Sequence, residues 1–247
     1  MRPPVEDIAA PEFPRKLPWV NAATLRMSQQ LGRPVLVEFW DFCRVNSLCT
    51  LPYLKAWHER YEPHGLRVVG VHAAGFVPSA AEEEVRAAVQ RLGIAYPVAI
   101  DSEYEIWHDY GNEGWPARYL LNANGHLVEY HYGEGDYAGT EEAIQEQLGL
   151  AGEPLTPALR PEDEPGAVLE AQTEDQPGPY SGSYEAGGVW AVLEGEGSVR
   201  VNGREIRVTH PGAYPLIEHP RHTRGELELE PGAGVRCHAV CFAPGLR

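Results

Sequence analysis

Residues 149–166 carry four prolines, Pro154, Pro157, Pro161 and Pro165, among glutamates and glycines, and the hydrophobic period of the chain changes across them. Proline fixes φ and removes an amide donor, so prolines at this spacing make a stiff connector that neither helix nor sheet runs through. A chain of 247 residues cut there gives two modest domains, each long enough to bury its own core. The expected organisation is a domain over 1–150, a linker over 151–165 and a domain over 166–247.

Upstream of the break, strands and helices alternate. Residues 34–40, Pro-Val-Leu-Val-Glu-Phe-Trp, are a short apolar run with one acid, as in a strand buried inside a parallel sheet. Leu48, Leu51, Leu54 and Trp57 then recur at helical spacing through 47–61, with Pro52 placed to kink the helix early. Further strands are expected at 66–71 and 97–100. Ser79 with Glu82, and Ser102 with Glu105, have capping-box spacing, in which hydroxyl and carboxylate satisfy orphan amides reciprocally. Helices should open there, the second ending at Gly111. Residues 117–121 and 126–132 flank Asn122-Ala-Asn-Gly125 as an antiparallel hairpin, and a last helix covers 140–148. This order predicts an α/β layer fold with a mixed central sheet flanked by helices. Downstream, the runs at 189–193, 198–201, 205–208, 226–229 and 235–242 are short and separated by turns, Asn202-Gly203 being the strongest hairpin signal. With no helical period, this half is expected to be a small all-β sandwich or jelly roll.

Lysine and arginine number 20 against 36 acidic residues, a formal net charge of −16, so the molecular field repels phosphate backbones and anionic lipid. Nucleic acid and membrane surfaces are therefore not expected as partners. No apolar run reaches signal-peptide length near Met1 or membrane-span length elsewhere, so the expectation is a cytoplasmic chain, or an extracytoplasmic one if a leader has been cropped. The four cysteines, Cys43, Cys49, Cys237 and Cys241, are too few for a disulfide scaffold.

The run Glu38-Phe-Trp-Asp-Phe-Cys43-Arg-Val-Asn-Ser47-Leu-Cys49-Thr-Leu-Pro52 resembles the active-site segment of thioredoxin-like redoxins of the TlpA and DipZ type, within the alkyl hydroperoxide reductase/thiol-specific antioxidant superfamily. The resemblance covers about residues 10–150 and includes Val69-Gly-Val-His72 and Gly133-Glu-Gly-Asp136-Tyr137. Such proteins carry Cys-x-x-Cys in this segment. Aligning Phe39-Trp40 and Pro52 puts Arg44 and Ser47 in the two cysteine positions, with Cys43 one residue before the first and Cys49 two after the second. Trp115-Pro116 matches the family's cis-proline, which borders the redox site and helps bind extended substrates. Glu38 matches the buried acid that accepts a proton from the resolving thiol, for which burial would raise its pKa; a strand-edge glutamate is the plain account.

The resemblance implies a thiol-disulfide oxidoreductase or antioxidant protein acting on thiols and disulfides, with Cys43, Cys49 and Glu38 catalytic and Trp40, Arg44, Ser47, Trp115 and Pro116 shaping a groove. No cofactor or metal is implied. Chemically, Cys43 near a helix N-terminus and beside Arg44 has the surroundings of a reactive thiolate. Cys49 lies within that helix, and six helical residues rise about 9 Å against a limit of roughly 7 Å between the Cα atoms of a disulfide. A bridge would need the first turn to unwind. The peroxiredoxin pattern Pro-x-x-x-Thr-x-x-Cys is absent around Cys43. The alternative is a redox-inactive binding or scaffold protein whose groove and β-domain hold a peptide, glycan or partner, with both cysteines as apolar filling.

In the second half, strand alternation places Val235, Cys237, Ala239 and Cys241 on one core-like face and Arg236, His238 and Val240 on the other. Cys237 and Cys241 would then stand about 13 Å apart, too far to bond. His219, His222 and His238 with a cysteine are metal-ligand types without a closed set, and no metal is expected. Tyr180, Tyr184, Trp190 and Tyr214 suit either a sugar-stacking face or core.

Overall fold

In the computed structural model, residues 1, 3 and 7–247 are described. The chain divides into two compact units, one of Met1–Gly75 with Ala80–Pro157 and one of Phe76–Ser79 with Ala158–Arg247.

The first unit contains β1 (Trp19–Val20), β2 (Val35–Trp40), α1 (Val45–Tyr61), β3 (Arg67–His72), α2 (Glu82–Arg91), β4 (Val98–Ile100), α3 (Glu105–Asp109), β5 (Ala117–Leu121), β6 (Leu127–Tyr132) and α4 (Tyr137–Leu148). Its six-stranded sheet has the order β1-β4-β3-β2-β5-β6. The β2–β3 and β3–β4 pairs are parallel and the others antiparallel, so the expected mixed sheet is present. Alternation along β2 sends Val35, Val37 and Phe39 into one core cluster with Val69, Val71, Ala117, Tyr119 and Ile106 of α3. Leu36, Glu38 and Trp40 occupy the opposite face, which α1 covers: Arg118, registered against Glu38, lies under the ring of Trp57.

Helix α1 runs through Pro52, which cannot supply an amide to the preceding turn. Both capping-box expectations fail for local reasons. Ser79 donates its hydroxyl to the Phe76 carbonyl inside a 3-10 turn, and α2 starts from Ala81 without a side-chain cap. At α3 the acceptor is the Asp101 carboxylate, which takes the amides of Ile106 (3.2 Å) and Trp107 (2.9 Å) and leaves nothing for Ser102 to cap. Beyond α4, buried Glu141 holds the chain down: its carboxylate accepts from Arg60 Nη1 (3.1 Å), Tyr61 Oη (2.6 Å), Thr156 N (2.8 Å) and Thr156 Oγ1 (2.9 Å).

The second unit is all β: β7 (Leu169–Glu170), β8 (Gln176–Pro177), β9 (Gly182–Gly195), β10 (Gly197–Val201), β11 (Arg204–Val208), β12 (Gly212–Leu227), β13 (Leu229–Pro231), β14 (Val235–Ala243) and β15 (Gly245–Leu246). Sheets ordered β11-β10-β13 and β12-β9-β14-β8 share one apolar cluster built on Val189, Ala191, Leu193, Val199, Val201, Leu216 and Val240. Asn202 (φ 47°) and Gly203 (φ 81°) join β10 to β11, both in the left-handed region that a two-residue hairpin loop requires. The expected alternation along β14 is overturned by a bulge. Cys237 faces Leu193 and Ala239 faces Val192, so His238 is an extra residue and the phase flips after it. Cys237, Val240 and Phe242 therefore enter the core cluster, while Cys241 does not share that face.

Candidate functional site

The chain leaves β2 at Trp40 and turns through Asp41, Phe42 and Cys43 before Arg44 caps α1 with extended backbone angles. Asp41 organises this turn. It is fully buried; Oδ1 accepts from the Cys43 amide at 2.9 Å and Oδ2 from the Gly75 amide at 2.8 Å, fastening the turn to the chain beyond β3. His72 Nε2 stands 3.5 Å from Oδ1, and the Asp41 amide donates to Ser47 Oγ at 3.3 Å. The Arg44 guanidinium lies 4.7 Å over the Trp115 ring, within cation–π range. Gly75 makes room for it, since a Cβ there would sit 2.6 Å from Arg44 Nε and 3.1 Å from Asp41 Oδ2. Trp115 is fixed from behind by donation of Nε1 to the Ala73 carbonyl (2.8 Å) and by packing on Trp107 at 4.3 Å.

The Trp115–Pro116 bond is cis, and the Pro116 carbonyl accepts from the Gly133 amide at 2.8 Å. Arg44 is thus brought onto Trp115, the residue that precedes the cis-proline Pro116. Trp40 and Ser47 are buried and do not line a groove: Trp40 packs against Gly70 and the His72 ring, and the Ser47 hydroxyl is turned to the Asp41 amide. Glu38 lies on the central strand, 0% exposed, and among the described residues both its carboxylate oxygens lack a hydrogen-bond partner. Burial pushes its pKa up to about 8, opposed by the nearby Arg118.

With this geometry in view, the sequence profile of the AhpC/TSA family matches residues 8–130. These residues belong to the AhpC/TSA family. The chain is 32% identical over 145 residues to Protein DipZ of Mycobacterium tuberculosis, a match covering 58% of this chain and 21% of DipZ, so it spans about a fifth of that relative's length. It is 24% identical over 131 residues to the thiol-disulfide oxidoreductase ResA of Halalkalibacterium halodurans, covering 53% of this chain and 69% of ResA. Among solved structures, the thioredoxin-like superfamily protein SPOA0173 superposes with a TM-score of 0.53 at 20% identity, over 60% of this chain and 99% of that one. The AhpC/TSA unit therefore has the thioredoxin fold, of the kind found in thiol-disulfide oxidoreductases.

Within the AhpC/TSA unit, Cys43 is 0% exposed at the foot of α1, and Cys49 is half-buried in the second turn of that helix. Among the described residues no disulfide forms. In the all-β unit, burial pushes the Cys237 thiol up to about 11, and its Sγ lies 3.5 Å from the Ala239 carbonyl, which makes it an unreactive core thiol. The histidines go to separate partners: His219 to Tyr184 Oη (2.9 Å), His222 to Glu185 (3.5 Å) and His238 to Glu194 (2.8 Å). Tyr184 belongs to the core cluster, with Tyr180 and Tyr214 packed on it, whereas Trp190 stands outside it.

Sequence reasoning missed Asp41, Gly75 and Arg118. Asp41 and Gly75 act through a side-chain-to-amide bond spanning 34 residues, which no local pattern encodes. Arg118 carried a signal, a lone cation in the apolar run Ala-Arg-Tyr-Leu-Leu, of the same kind that marked Glu38.

Proposed function

We propose that the AhpC/TSA unit is a thioredoxin-fold recognition module for an extended polypeptide, with its disulfide-exchange site rebuilt as a binding groove. The observation that carries this reading is the replacement of a reachable thiol by Arg44 on Trp115, while the neighbouring Cys43 is wholly buried. Exchange requires a thiolate to approach a substrate sulfur in line, which a thiol with no exposed surface does not do. The partly exposed Trp115 ring, with the Arg44 guanidinium over it, instead offers an apolar surface beside a fixed charge. The test is binding of an unfolded, carboxymethylated protein as probe. Trp115→Ala should weaken it by about tenfold or more, and insulin disulfides should be reduced no faster than by the buffer thiol alone.

Glu38 favours a second reading, because a buried acid held neutral to about pH 8 suits proton transfer with a thiol. The Cys43 thiolate would attack a substrate disulfide, forming a mixed disulfide and releasing one substrate thiolate. Cys49, after unwinding of the first helical turn, would displace the second, giving a Cys43–Cys49 bridge and a reduced dithiol, with the ionised form of Glu38, populated as the pH approaches about 8, taking the resolving thiol's proton. The named activity of ResA supports thiols and disulfides as partners under this reading. Insulin reduction above background that disappears in Cys43→Ser, together with a reversible Cys43–Cys49 bridge in peptide maps, would establish it and displace the recognition reading.

A further inference from the structure

Arg118 is buried at 2% exposure and stands between two titratable neighbours in one cross-strand row. Glu38 on β2 registers with Arg118 on β5, which registers with His131 on β6; on its other side Glu38 registers with Gly70 on β3. Directly opposed residues share a sheet face, so these side chains lie side by side, and Gly70 adds none. The guanidinium donates from Nη2 to the Gly135 carbonyl at 2.6 Å and lies over the Tyr137 ring at 5.0 Å. Among the described residues its Nε and Nη1 have no hydrogen-bond partner, and neither do both oxygens of Glu38 beside it. Buried donors and acceptors without partners destabilise the fold, so a rearrangement that joins them is favoured once Glu38 is charged.

We infer that Arg118 is a positioning arm that ties the protonation state of Glu38 to the segment 133–136, and through it to cis-Pro116. With Glu38 neutral, the arm holds Gly135. With Glu38 ionised, a charge-assisted pair draws the guanidinium toward the carboxylate and releases the Gly135 carbonyl. Within the segment Gly133 (φ 84°) and Gly135 (φ 87°) are both in the left-handed region, where the lack of a side chain leaves the backbone free to change conformation. It is also tied to the groove, because the Gly133 amide holds the Pro116 carbonyl at 2.8 Å.

Other titratable groups surround the pair. Tyr96, leading into β4, has a buried hydroxyl without a partner among the described residues, and burial and Glu38 together push its pKa well above the ordinary value. From α1 comes the indole of Trp57, which does not titrate. On the far side of Arg118 stand His131, bonded to the Glu134 carbonyl at 3.0 Å, Asp136 at 3.8 Å from that ring, and Glu129, bonded to Thr140 Oγ1. Burial depresses the pKa of His131, so it is already neutral where Glu38 ionises.

The test uses the full chain and needs no assumption about what the groove binds. The ¹³C shifts of the Glu38 carboxyl and of the Gly135 and Gly133 carbonyls are followed from about pH 6.5 to about 9.5. The expected result is one shared midpoint near pH 8, with the Gly135 transition lost in Glu38→Gln. Glu38 titrating while Gly135 stays flat in the parent protein overturns the coupling, whether or not the variant folds. A Gly135 transition that survives in Glu38→Gln does the same and assigns the loop to His131 or Asp136.

Discussion

Glu38 makes stability depend on pH in a direction opposite to most carboxylates. In the unfolded chain its carboxyl ionises near its ordinary 4.5, whereas in the folded chain burial keeps it protonated to about 8. Between these values the folded state binds a proton that the unfolded state has lost, so stability falls as pH rises and levels off above the folded value. The slope for one such group is about 1.4 kcal/mol per pH unit at most. Urea midpoints measured across this window should decline in the parent protein and decline less in Glu38→Gln. Parallel slopes in the two proteins would show that Glu38 ionises as freely folded as unfolded. At this scale the sequence was informative where a residue broke a pattern. One acid interrupted the apolar run of Glu38's strand, and the family resemblance, not the local pattern, pointed to the cis bond at Trp115-Pro116. Trp40 and Ser47 were misplaced because a motif position does not reveal whether its side chain faces solvent; the Asp41 amide and the packing around Gly70 decide that.

At the scale of elements, strands and helices were legible and their ends were not. Apolar runs located β2, β3, β5 and β6, since a buried strand must be apolar whatever its neighbours are. The caps failed for two reasons: Asp101, one residue ahead of Ser102 and directly after β4, took the amides of α3, and Ser79 gave its hydroxyl to the Phe76 carbonyl ahead of α2. The bulge at His238 was invisible because it depends on the partner strand, not on the composition of β14. Glu141 on α4 shows how much one long-range group can hold together. It joins Arg60 and Tyr61 of α1 to Thr156 in the segment that follows α4, across 80 residues of chain in the case of Tyr61. Glu141→Ala removes the acceptor of the buried Tyr61 hydroxyl and of the Thr156 amide and hydroxyl at once, and should cost about 3 kcal/mol in urea unfolding. Glu141→Gln keeps an acceptor and should cost roughly half of that. A loss below about 0.5 kcal/mol for the alanine variant, the range of an ordinary surface change, would mean that Thr156 and Tyr61 find other partners.

For the molecule as a whole, the net charge of −16 sets a term that no single contact controls. Like charges repel more in the compact state than in the expanded one, so folding works against this excess. Exposed ion pairs such as Arg86–Glu82 and Arg200–Glu230 act in the other direction, but pairs of this type contribute only about 0.2–1 kcal/mol each. Screening weakens both terms, and the sign of the salt effect shows which is larger. Raising sodium chloride from about 0.02 M to about 0.5 M shortens the screening length from roughly 20 Å to roughly 4 Å, which removes most of the long-range repulsion. The unfolding midpoint at pH 7 should therefore rise with salt. Near pH 5, close to the isoelectric point of about 5.0, the repulsion has gone and only the ion pairs remain to be screened, so the midpoint should stay level or fall slightly. Chloride is the appropriate salt because sulfate would strengthen apolar burial at both pH values and hide the contrast. A midpoint that falls with salt at pH 7 would show that the ion pairs outweigh the acidic excess, and that the acidity is arranged in local pairs instead of acting as a uniform field.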